Sequence, residues 1–144
     1  MSDRRRAIDA SLKANVVPFL RERGFKGSFP HFYREIDGHV DLLMFQFRLD
    51  GSSFIVEISY ADPDRTNIYF RPETPTAKLQ VSAATKRYRL GSARKQQVDD
   101  EWLSLDCGVL ASQAGHFQRL AQKVNGLVAD EAEPWWQARR ASIK

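Results

Sequence analysis

Two Asp-Gly pairs, Asp37-Gly38 and Asp50-Gly51, constrain this chain more than any other feature. Apolar-rich runs flank them: HFYREI before the first, HVDLLMFQFRL between the two, and SSFIVEISYA after the second. Asp-Gly favours tight hairpin turns, because both central residues of such a turn need positive φ. Two of them in one stretch predict a three-strand antiparallel meander. With two-residue loops, Phe32 pairs with Leu43 and Arg34 with Asp41. Across the second turn, Phe47 pairs with Phe54, Phe45 with Val56 and Leu43 with Ile58. Phe32, Leu43, Phe45, Phe47, Phe54, Val56 and Ile58 then share one face, an agreement reached independently from the two turns. A slip of one residue would turn that whole face to solvent. The opposite face, with Tyr33, Glu35, Val40, Leu42, Met44, Gln46, Arg48, Ile55 and Glu57, is mixed, which suits partial cover.

Helices are expected on either side of the meander. From Asp3 to Arg23, Ile8, Leu12, Val16, Phe19 and Leu20 recur at helical spacing, and Gly24 suits the left-handed residue that ends a helix. Pro18 has no N–H for the carbonyl four residues back, so a kink or a helix in two pieces is expected there. Between Asp62 and Thr85, Pro63, Pro72 and Pro75 break the chain up, with NIYFR as a short strand candidate. AATKRYRLG reads as a further strand with Tyr88 and Leu90 on one face and Arg87 and Arg89 on the other. A second helix follows, with Leu110, Ala114, Phe117, Ala121, Val124 and Val128 in step, and PWWQARRASIK suggests a short helix with proline in its first turn. Trp135 and Trp136 are adjacent, so they cannot both face the core. The predicted architecture is α+β: an antiparallel sheet of four to five strands, a meander, packed with an N-terminal helix and C-terminal helices, in one domain over residues 1–144.

Composition narrows the class. The chain has 144 residues, 42% hydrophobic and 28% charged, which suits a globular domain with a real core. No apolar run approaches the roughly 20 residues of a membrane-spanning helix. MSDRRRAIDASLK lacks the apolar stretch of a secretory signal. Cys107 is the single cysteine, so no internal disulfide forms, which fits a reducing cytoplasm.

Motifs for chemistry are sparse. His31, His39 and His116 are far apart and show no metal-ligand spacing, and no metal or other cofactor is expected. Cys107, in LDCGVL ahead of the second helix, could be activated by a helix N-terminus, but a small buried hydrophobe is the plainer reading. There is no nucleophile elbow, and GFKGSF lacks the spacing of a phosphate-binding loop. The acids Asp99, Asp100, Glu101, Asp130, Glu131 and Glu133 read as solvated runs.

The charge distribution is the remaining clue. The net charge is +4, yet from Thr74 to Val98 Lys78, Lys86, Arg87, Arg89, Arg94 and Lys95 stand with no acid among them. Arg87 and Arg89 share a strand face about 7 Å apart, and Arg94 and Lys95 follow Gly91 by a short loop. Guanidinium groups so placed suit a carboxylate or phosphate, so Arg87, Arg89, Arg94 and Lys95 form a candidate anion- or partner-binding site. The plainer alternative is that Arg87 and Arg89 pair with an acid on the neighbouring strand, such as Glu57, or stand in solvent. Trp102 reads as a core anchor, and Tyr88 faces away from the arginines, which tells against base stacking.

The order of features resembles the bacterial domain-of-unknown-function family 4304. VVPFLRERGFKGSFPHFYRE is one matching part and DLLMFQFRLDGSSFIVEISYA a second; the third is Arg87, Arg89, Leu90 and Gly91 with Trp102 and Leu103 downstream. These span roughly residues 8 to 105, and the long TPTAKLQVSAATK approach to the third part departs from the pattern. The resemblance implies an α+β fold and carries no activity. The sequence therefore favours a non-enzymatic cytoplasmic domain that binds a protein with an acidic surface, by analogy with small immunity or accessory proteins. A nucleic-acid-associated protein using the basic segment 78–95 is the second reading. A small-molecule binder or enzyme with a pocket between sheet and helix is the third.

Overall fold

The computed structural model describes residues 3–69, 71, 73–92, 102–107 and 112–142. The helix expected at the start forms in two pieces, α1 (Asp3–Asn15) and α2 (Val17–Glu22), with Pro18 in the first turn of α2. The break falls where proline cannot donate, and Gly24 closes α2 at φ 91°. Ile8, Leu12, Val16 and Leu20 are all fully buried, so the apolar stripe crosses the break intact.

The sheet is an antiparallel meander: β1 (Lys26–Ser28), β2 (His31–Ile36), β3 (His39–Phe47), β4 (Ser53–Ala61) and β5 (Arg87–Arg89), in that order. A two-residue strand, β6 (Leu103–Ser104), pairs with the opposite end of β4. The register is the expected one: Phe32 faces Leu43, Arg34 faces Asp41, Phe45 faces Val56 and Phe47 faces Phe54. Asp37 and Gly38 both take positive φ, 54° and 82°, as a two-residue turn requires. The second turn differs. Only Gly51 has positive φ, and the loop widens to four residues, closed by Arg48 N–H donating to the Ser53 carbonyl. Asp50 instead uses its carboxylate to accept from the Ser52 N–H and hydroxyl, a local turn two residues on. The added residues fall symmetrically, so the pairing is unchanged.

The helices all cover one face of the sheet. α3 (Gln113–Leu127) starts at Ser112, whose hydroxyl accepts from the Gly115 N–H. It then passes through a π-helical turn, Val128–Ala132, into α4 (Glu133–Ser142). The core unites Phe32, Leu43, Phe45, Phe54, Val56 and Ile58 with the α1 stripe, Phe117, Leu120, Ala121, Val124, Leu127 and Trp136. Leu110 of the expected helical stripe lies outside the described residues, and Ala114 is exposed. Trp136 is fully buried and its indole N–H donates to the Ser59 carbonyl at 2.9 Å, while Trp135 stays half-buried against Tyr60 and Tyr88. The opposite sheet face is covered at one end. Val40, Leu42, Met44 and Ala61 pack there against Ile68, Leu79, Val81 and Ala84 from the proline-punctuated segment, which carries two short 3₁₀ turns. Ile68 makes only an isolated bridge to Ala84, so NIYFR contributes no strand among the described residues.

Candidate functional site

The other end of that second face, among the described residues, is basic and aromatic. Period-two alternation places Tyr88 and Leu90 inward and Arg87 and Arg89 outward on β5, as expected. Arg89 lies opposite Glu57 and Arg87 opposite Ser59. Both guanidinium groups reach the one Glu57 carboxylate: Arg87 Nη1 to Oε1 at 3.4 Å and Arg89 Nε to Oε2 at 3.5 Å. The plainer sequence reading of these two residues therefore holds in part. They are paired to the neighbouring strand, yet their side chains remain 46% and 44% exposed while Glu57 is buried. Among the described residues, two cations share this one carboxylate. Arg94 and Lys95, the other two candidates, lie outside the described residues.

Trp102 corrects the sequence reading. It is absent from both apolar clusters and packs between two guanidinium groups, Arg48 at 4.4 Å and Arg89 at 5.8 Å from the ring centroid. The reason is alternation again. Leu103 and Leu105 turn into the core, so Trp102 and Ser104 turn to the outer face. Arg48, Ser52, Ser53, Trp102 and Ser104 line a cleft of about 250 Å³. Beside it the Asp50 carboxyl is held below its ordinary range, first by the Ser52 hydroxyl and N–H and then by the charges of Arg48 and Arg4. Leu49, next to Arg48 at the loop tip, is fully exposed.

The other end of the sheet holds charges that the sequence reading did not treat as a group. Arg34 Nε and Nη2 donate to Asp41 Oδ2 at 2.9 and 2.7 Å, and Arg140 Nη1 donates to both Asp41 oxygens at 2.8 and 2.6 Å. Arg34 also donates to both oxygens of Glu133, which accepts from Arg23 as well. Asp41 is fully buried. Burial pushes the Glu133 carboxyl up, but the hydrogen bonds and charges of Arg34 and Arg23 outweigh it and hold the group below its ordinary value. For Arg34, burial works against the charge, and Glu133 and Asp41 together raise it above its usual value, so it stays a cation. The signal was present in the sequence, because the Arg34–Asp41 pair shares parity with Phe32 and Leu43 and so had to face the helices.

His116 engages the Ser104 carbonyl at 2.8 Å, and Cys107 is half-buried. Among the described residues no three metal-ligating side chains come together, and no helix is long and apolar enough to cross a membrane. The family model described as Domain of unknown function (DUF4304) matches residues 16–138. The chain belongs to the DUF4304 family. In this DUF4304 chain the match extends past the resembling stretches through α3 into α4 and ends before Arg140. No curated protein and no solved structure matches it.

Proposed function

We propose that this DUF4304 chain is a non-enzymatic cytoplasmic binding domain whose outer sheet face, at Arg48, Arg87, Arg89 and Trp102, receives the acidic surface of a protein partner. The observation that carries this reading is Trp102 held between Arg48 and Arg89 beside the fully exposed Leu49. Tryptophan and arginine dominate the energetically important centres of protein interfaces, and a charged rim speeds encounter with a partner of opposite sign. Capture from native lysate, compared between the wild type and Arg87→Gln/Trp102→Ala, tests it. A partner retained by the wild type, released by salt and lost with the variant is the expected outcome. Equal capture by both would remove the site.

Trp102 also favours nucleic acid as a second reading, since an aromatic among arginines is the arrangement that stacks on bases. That reading predicts quenching of Trp102 fluorescence by single-stranded oligonucleotides, weakening steeply with salt. No quenching at low salt would end it.

A further inference from the structure

Beside the buried ion cluster, Ile36, Asp37, His39, Pro63 and Arg140 line a cavity of about 180 Å³. That is the liquid volume of about six water molecules, room for a small organic molecule. The cavity lies between the β2–β3 turn, the Asp62–Asp64 bend and α4, at the far end of β3 from Trp102. Its wall contains an anomaly. His39 is only 3% exposed, and neither ring nitrogen makes a hydrogen bond among the described residues. Buried polar atoms are nearly always satisfied, so an unsatisfied one marks a missing partner.

The surroundings say which chemistry that partner has. His39 stacks face to face on Tyr60, with ring centroids 5.0 Å apart and planes 3° from parallel, which fixes the ring plane. Nδ1 lies 3.3 Å from Asp41 Oδ1, close to the carboxylate although not aligned for a hydrogen bond. A carboxylate there favours the proton on Nδ1 and leaves Nε2 as an acceptor in need of a donor. Arg140 spends Nη1 on Asp41, while its Nε and Nη2 make no hydrogen bond among the described residues, so a permanent cation with donors to spare lines the same space. Asp37, exposed at the rim, adds an acceptor of negative charge, and Ile36 and Pro63 add apolar wall.

We propose that this cavity binds a small α-amino acid. Its carboxylate meets Arg140, its ammonium meets His39 Nε2 and Asp37, and its short aliphatic side chain packs on Ile36 and Pro63. The site is separate from the basic outer face and does not depend on the binding function proposed there.

L-valine is the probe, titrated into the full chain and followed by the His39 ring and Ile36 methyl resonances. Isovalerate, which lacks the ammonium, and isobutylamine, which lacks the carboxylate, are the paired controls. Saturable shifts with L-valine are expected, with each control weaker by about tenfold or more, because a site built around paired polar groups rejects a ligand missing one. His39→Phe keeps the stacked ring and removes the acceptor, and should abolish saturation. Asp37→Asn, tolerated at positive φ, should weaken binding severalfold and serves if the first variant fails to fold. The proposal is overturned by no saturation in the tens of millimolar, by a control that binds as well as L-valine, or by a folded variant that binds like the wild type.

Discussion

Two arginine–carboxylate groups lie along the sheet, one beside the β2–β3 turn and one toward Trp102, and they behave differently. At the end beside the β2–β3 turn, Arg34, Asp41 and Arg140 of α4 are bonded at 2.6–2.9 Å, with Asp41 fully buried. Toward the other end, Arg87 and Arg89 reach Glu57 at 3.4 and 3.5 Å with half of each guanidinium side chain in water. The residue types are the same, so cover is what separates them. Where helices exclude water, the charges need multiple short bonds to offset desolvation, and they tie the C-terminal helix to the sheet. Where the guanidinium groups are half in water, the pairing is longer and weaker.

The sharpest test of that contrast neutralises one carboxylate at each end. Asp41→Ala should cost about 3–5 kcal/mol, because it leaves Arg34 and Arg140 of α4 without their shared anion where helix and sheet meet. Chemical denaturation measures this, and a cost near zero would mean the buried cluster does not secure α4.

Acid should act on the same end next. Glu133 has its folded value held below the ordinary 4.5. Its contribution is therefore complete above that value and is lost as pH falls from there through the folded value. Glu133→Gln should flatten the stability profile in that window; an unchanged profile would show that Arg34 and Arg23 do not act through this carboxyl.

At the exposed end the effects shrink. Glu57→Gln should cost about 1 kcal/mol or less, since Arg87 and Arg89 can turn to solvent. A loss equal to that of Asp41→Ala would break the comparison outright.

The smallest effect belongs to His31, whose pKa burial lowers from the ordinary 6.5. The folded chain disfavours its protonation, so stability is full above 6.5 and declines slightly as pH falls through the lowered value. Melting curves of His31→Gln across that range should lose the decline and keep the steeper one from Glu133.

Local rules reached far in this chain. Turn chemistry and a side-chain period of two determined the meander, its register and the inward face, because a one-residue slip reverses every side chain. The same rules determined the helix break at Pro18 and the outward aim of Arg87 and Arg89. They also implied that Arg34 and Asp41 meet on the core side. Tertiary structure alone decided what happens to those side chains. Arg140 and Glu133 arrive at Arg34 and Asp41 from a helix about a hundred positions away in the chain, and no local pattern encodes that meeting. The segment between Asp62 and Thr85 covers one end of the second face and does not reach Arg48, Arg89 and Trp102 at the other. Trp102 shows the limit most clearly. Its size suggested a core anchor, but a two-residue strand turned Leu103 inward, and the tryptophan became part of the surface. Short-range sterics are written in neighbouring residues, whereas cover depends on which distant segment the folded chain brings to lie on top.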